Sequence, residues 1–145
     1  MLFLEKIAAI SSPYADWITE LVVRYVRGVD DGLNVVLKWD ETRGKDFQCI
    51  AQMVLCIENL PARTDPKTPK VAMWLHRVDP PSRQFKQQIV SVLQKYWYIA
   101  SDPELNRAFK SIDAKVAPVE FVFVGMFSFL IHCTRCPEDI YFSLL

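Results

Sequence analysis

Glycine is scarce in this sequence, with four in 145 residues. Neither G-x-x-x-x-G-K nor G-x-G-x-x-G occurs, so nucleotide binding through those phosphate-cradling loops is excluded. Histidine is scarcer still: only His76 and His132 are present, and neither stands in a motif that would pair it with a nucleophile. Net charge is absent too, since 17 Lys and Arg balance 17 Asp and Glu, and the molecule as a whole has no reason to be drawn to nucleic acid or anionic membrane. The longest apolar run, Phe121 to Ile131, has eleven residues against the ~20 that a membrane span needs, and reads as a buried core helix. A basic region before the first apolar residues is missing, and Glu5 and Lys6 interrupt them, so no signal peptide is expected. Cys49, Cys56, Cys133 and Cys136 are therefore expected to be reduced thiols, in cytoplasm or nucleus, with no structural disulfide.

What is present is enough for one core. Apolar residues make up 51% of a chain whose length is ordinary for one domain, so residues 1–145 are expected to fold as a single unit. Helix starts are marked by a proline behind a short residue. Ser12-Pro13 opens Tyr14 to Arg27, with Gly28 as the expected C-cap. Thr68-Pro69 opens Lys70 to Arg77, Asp102-Pro103 opens Glu104 to Ile112, and Ala117-Pro118 opens the apolar run. Two longer amphipathic segments lie between: Phe47 to Glu58, ending before Pro61, and Phe85 to Ile99, with Ser82 as N-cap. The β-branched clusters Asn34 to Lys38 and Val119 to Val124 lack a hairpin turn or partner strand. The expectation is an all-α fold, an irregular bundle of about six to seven helices.

Cys133-Thr-Arg-Cys136, with His132 beside it, has the spacing of a zinc thiolate pair or a redox dithiol. A structural zinc site needs four ligands, and Cys49 and Cys56 lie about two turns, roughly 10 Å, apart on one helix. Cys49 and Cys56 are accordingly expected in the core. No metal, cofactor or catalytic residue is assigned. His76 is expected at a helix boundary. The carboxylate pairs Asp30-Asp31 and Asp40-Glu41 stand in turn-like surroundings where they stay solvated.

Charge is unevenly spread: residues 61–118 carry ten Lys and Arg against five Asp and Glu. Spread over so long a stretch, these charges read first as solvated helix faces. Arg83, Lys86, Lys95, Trp97, Arg107 and Lys110 are the candidates for contact with a partner or with nucleic acid. Of the consecutive aromatics Tyr96, Trp97 and Tyr98 at least one must face outward, because successive helical residues turn by about 100°.

The stretches Leu37-Lys38-Trp39-Asp40, Arg43-Gly44-Lys45-Asp46-Phe47-Gln48, Leu60-Pro61 and Val116-Ala117-Pro118-Val119-Glu120-Phe121 resemble a segment of fungal proteins of a ParB-like, GmrSD-type restriction-endonuclease family. The resemblance covers most of residues 5–125. Such proteins carry an Asp-Gly-Gln-Gln-Arg motif in a domain preceding the helical region. Here Asp31-Gly32 continues Leu33-Asn34, so no catalytic residue carries over. The resemblance implies the helical region alone, a fragment of a larger protein, with residues 126–145 as an aberrant tail. The expected function is a non-catalytic helical interaction module that packs on a protein partner or a missing N-terminal domain, or self-associates. The alternatives are weak nucleic-acid association through the basic middle and a small thiol- or metal-dependent enzyme.

Overall fold

The computed structural model describes residues 7, 9–27, 33, 44–105 and 118–132. Among them every regular element is a helix, and there are five, fewer than the six to seven expected: α1 (Pro13–Leu21), α2 (Lys45–Glu58), α3 (Thr68–Leu75), α4 (Arg83–Ser101) and α5 (Pro118–His132). The all-α expectation is met.

α1 starts where its sequence says. Pro13 occupies the first turn and the Ser12 hydroxyl accepts a hydrogen bond from the Ala15 N–H at 3.0 Å, supplying one of the donors a helix start leaves unpaired. The same hydroxyl donates to the Leu75 carbonyl at the end of α3, so one serine ties a helix start to a helix end. Beyond Leu21 the expected α-helix continues as a π-helix over Val22–Arg27, a looser winding with i to i+5 bonds. Val22 and Val26 remain buried there. Gly28 lies outside the described residues.

α2 is the centre of the fold. Its sequence reads as a helix with one apolar face, yet ten of its fourteen residues are buried, including the unbroken run Met53 to Ile57. A helix apolar all round must be covered all round; α1, the π-helix, α3 and α5 all pack against it. Gly44, at φ 72°, turns the chain into α2 from the left-handed region that favours glycine, but has no side chain to cap the helix. Asp46, the second residue of the helix, takes up a start donor instead: its Oδ1 accepts from the Phe47 N–H at 2.8 Å. At the far end Asn59 closes the helix, its Nδ2 donating to the Leu55 carbonyl at 2.9 Å.

α3 begins at Thr68, two residues earlier than expected, and ends at Leu75 instead of Arg77. The Thr68 hydroxyl caps nothing; it accepts from Gln48 Nε2 of α2 at 3.0 Å. α4 matches its sequence closely, with Ser82 accepting from the Phe85 N–H at 3.1 Å and one buried face of Ile89, Val92, Leu93, Tyr96 and Ala100. The Asp102-Pro103 signal does not open a helix within the described residues. Asp102 instead caps a turn, its Oδ1 accepting from the N–H groups of Glu104 and Leu105 at 2.8 and 3.0 Å. Residues 106–117 and the cluster Asn34 to Lys38 fall outside the described residues.

α5 departs most from expectation. Its run Phe121 to Ile131 is not enclosed: Phe121, Val122 and Phe129 are buried, whereas Phe123 and Phe127 are each 64% exposed and Val124 and Leu130 are also exposed. The helix seats on α2 and α4. Gly125 sits at the tightest point, where an added Cβ would lie 2.5 Å from Met53 Sδ and 2.8 Å from its Cγ. A helix backbone can come this near only where a side chain is missing. Tyr96 of α4 stacks on Phe121 with ring centroids 4.4 Å apart, and its hydroxyl donates to the Phe121 carbonyl.

Candidate interaction surface

Two polar constellations tie the helices together, one around a buried carboxylate and one half-buried. The first is Asp46, whose side chain is fully enclosed. Arg27, at the end of the π-helix, grips it with both prongs of its guanidinium, Nε to Oδ2 at 2.5 Å and Nη2 to Oδ1 at 2.7 Å. A carboxylate in the first turn of a helix is also favoured by the aligned peptide dipoles. The pair locks the π-helix to the start of α2.

The second constellation surrounds Glu58, in the last turn of α2, where those dipoles oppose a negative charge. Three donors offset this: Tyr14 Oη at 2.7 Å, Trp74 Nε1 at 3.1 Å and Arg77 Nη1. The Arg77 guanidinium also lies 4.1 Å from the centre of the Tyr14 ring and is held by Asp79, with Nε to Oδ1 at 2.9 Å. Tyr14 meets Trp74 and Trp17 edge to face. Burial, reinforced by the Glu58 carboxylate, pushes the Tyr14 phenol well above its usual range. The Asp79 hydrogen bond does the same to Arg77, while that guanidinium holds the Asp79 carboxyl low. Accepting from all three donors, Glu58 joins α1, α2 and α3. Its partners come from positions 14, 74 and 77, so Glu58 did not stand out as a site in the sequence.

Cys49 and Cys56 are both core thiols. Burial, with a smaller contribution from Asp46, pushes the Cys49 thiol up to about 12, and burial raises Cys56. Cys133 and Cys136 lie outside the described residues, as do Arg107, Lys110 and the pairs Asp30-Asp31 and Asp40-Glu41, while His132 is described in its backbone only. Among the described residues no three His, Cys, Asp or Glu side chains lie near enough to hold a metal ion. His76 is exposed at the C-cap of α3.

The contact candidates on α4 do not form one patch. Helical geometry puts Arg83, Lys86 and Trp97 within about 60° of one another around the axis but spreads them over roughly 20 Å, and turns Lys95 more than 100° away. Trp97 is 40% exposed, Tyr98 still more so, and Tyr96 is buried. Lys86 lines an open groove of about 790 Å³ between α4 and α1, opposite Glu20, Arg24 and Tyr25. A second hollow of about 710 Å³ lies between α2, the loop after it and α5, with Cys56 on its inner wall and Phe123 and Met126 at its rim.

The surface of most distinctive chemistry is the outer face of α5. Phe123, Val124, Phe127 and Leu130 recur at spacings of three and four, so they form one row, and no residue from Phe121 to Ile131 is charged. Water-facing helices normally put charge on that side. Among the described residues no helix is long and apolar enough to cross a membrane. No protein-family model matches the chain, and neither a curated protein nor a solved structure matches it.

Proposed function

We propose that this chain is a non-catalytic helical interaction module that offers the outer face of α5 to a protein partner. The observation that carries this is the uncharged row Phe123, Val124, Phe127 and Leu130, because apolar patches beyond a few hundred Å² seldom stay bare on a soluble surface. The inner face of the same helix is fixed by Gly125 on Met53 and by Tyr96 on Phe121, so the row is held on a rigid support. Two further observations favour binding over chemistry. The described thiols are enclosed, and the Glu58 carboxylate is occupied by three donors. In this reading Arg83, Lys86 and Lys95 are solvated charges on α4, and the resemblance to the helical region of the ParB-like, GmrSD-type proteins describes a scaffold without their chemistry.

The test uses dilute protein and the fluorescent apolar probe anilinonaphthalene sulfonate. The wild-type chain is expected to enhance its emission and Phe127→Glu to lose most of that enhancement with unchanged far-UV circular dichroism. Equal emission from the two proteins would refute the proposal. Filter binding at low salt separates it from the nucleic-acid alternative, which requires retention that weakens steeply as salt is added.

A further inference from the structure

We propose that the hollow of about 710 Å³ between α2, the loop after it and α5 is a binding site for a free carboxylic acid with an unbranched aliphatic chain, its carboxylate held by Arg63 and its chain lying along Val122 and Met126. The hollow shares only Phe123, at its rim, with the outward row of α5, and the inference does not rest on that row having a partner. Its volume falls within the ~300–1,000 Å³ of small-molecule sites. The wall is also divided as such a ligand needs. α5 supplies an uncharged apolar side with Val122, Phe123 and Met126, and the loop supplies a charged side with Arg63 and Asp65.

The polar groups on that wall are not equally available. Gln52 Nε2 donates to the Pro66 carbonyl at 2.9 Å and Cys56 Sγ to the Thr64 carbonyl at 3.8 Å, so α2 uses both to hold the loop in place. The Asp65 carboxylate is paired with the Lys67 ammonium at 3.3 Å. Arg63 forms no ion pair among the described residues. The lining therefore holds one cation without a local counter-charge, beside an apolar wall. A neutral apolar molecule would leave the guanidinium unanswered, and a small polar anion would leave the apolar wall wet; an anion with an apolar tail satisfies both. The planar guanidinium presents paired N–H donors that match the two oxygens of a carboxylate. A phosphate monoester, with nearly two negative charges, would exceed the single positive one and would face Asp65 as well.

The experiment is isothermal titration calorimetry of the 145-residue chain at neutral pH with octanoate, decanoate and dodecanoate, each below its micelle concentration. One ligand per chain is expected. Each methylene taken out of water tightens binding about fourfold, so each step of two should tighten it about fifteenfold. Arg63→Gln, at an exposed loop position, should weaken decanoate about tenfold and leave decanol unchanged, and Arg63→Lys should restore part of the loss. Met126→Trp, which fills the hollow from its rim, should weaken both ligands. Phe127→Glu should bind decanoate like wild type, with far-UV circular dichroism confirming that every variant is folded. A wild-type chain with no saturable binding overturns the site, as does an Arg63→Gln or a folded Met126→Trp variant that binds decanoate as tightly as wild type. Loss of decanoate in Phe127→Glu would place the chain on the outer face of α5, so that the hollow falls and the docking row stands. Decanoate binding that needs Arg63, in a chain without Phe127-dependent emission from the naphthalene probe, would leave the hollow standing and refute the docking row.

Discussion

Gly125 offers the sharpest test of the packing, because two opposing effects of known size meet at one atom. Replacing a helical glycine by alanine ordinarily stabilises by about 1 kcal/mol through backbone entropy. Here the new methyl would lie 2.5 Å from Met53 Sδ and 3.4 Å from Tyr96 Cε2. Met53 is fully enclosed and cannot swing into solvent. Overpacking of this kind typically costs about 1–3 kcal/mol, so Gly125→Ala is expected to destabilise by up to about 2 kcal/mol and Gly125→Val by more. Met53→Ala alone should cost about 2–5 kcal/mol, as for any buried methionine that leaves a cavity. In the double variant the alanine methyl enters space that the thioether has left, so the two changes should cost less together than separately, by about 1–2 kcal/mol. Urea denaturation followed by circular dichroism completes the cycle. A Gly125→Ala protein more stable than wild type, or a double variant whose cost is the plain sum, would show that α5 does not seat on α2 as described.

Asp46→Ala should cost about 2–3 kcal/mol, less than a wholly buried pair because Arg27 is 42% exposed and can rehydrate; urea unfolding of Asp46→Ala and of Asp46→Ala with Arg27→Ala measures the coupling. Glu58→Gln leaves Arg77 and Asp79 as a simpler pair and should destabilise by about 1–2 kcal/mol, read from the same curves. Cys49 gives a pH dependence: its thiol rises from an ordinary 9.0 to about 12 in the fold, so the unfolded chain loses the proton first. Stability from this group is complete below pH 9 and falls as pH rises toward 12, by at most about 1.4 kcal/mol per unit. Cys49→Ala should flatten that slope, and an unchanged slope would refute the assignment. In a chain with Cys133→Ser and Cys136→Ser, Cys49 and Cys56 should react with a disulfide reagent only at the rate of unfolding, and immediate reaction in the native state would contradict their burial.

The sequence showed most where local chemistry decides the outcome. Ser12 and Ser82 cap helices because their hydroxyls reach the N–H three residues on, an effect that needs no tertiary context. The inward face of α4 followed from spacing alone, as did the expectation that at least one of Tyr96, Trp97 and Tyr98 faces outward; Trp97 and Tyr98 both do. Features set by distant parts of the chain were not legible. Whether α2 is covered on one side or on all sides depends on how many neighbours reach it, and its few polar residues permitted either outcome. The run in α5 misled for a related reason: eleven uncharged residues read the same whether a helix is enclosed or exposed on one side. Thr68 and Asp102 are both capping types before proline, but Thr68 is drawn to Gln48 and Asp102 closes a turn. Neither Glu58 nor the Arg27 grip on Asp46 could be read, since those partners stand 19 or more positions away apart from Trp74 at 16.

The π-helix makes the length of the chain between Leu21 and Arg27 part of the design. A π-helix turns less per residue than the ~100° of an α-helix, so Val22–Arg27 holds about one residue more than ordinary winding would need to bring position 27 to the same side. Deleting one residue and restoring ordinary winding should therefore leave the guanidinium facing Asp46, whose carboxylate is enclosed at the entrance to the central helix. Substitution within Val22 to Val26 can be tolerated wherever volume is kept. A one-codon deletion is also better borne here than in α2, where it would turn every following residue about 100° off its buried side.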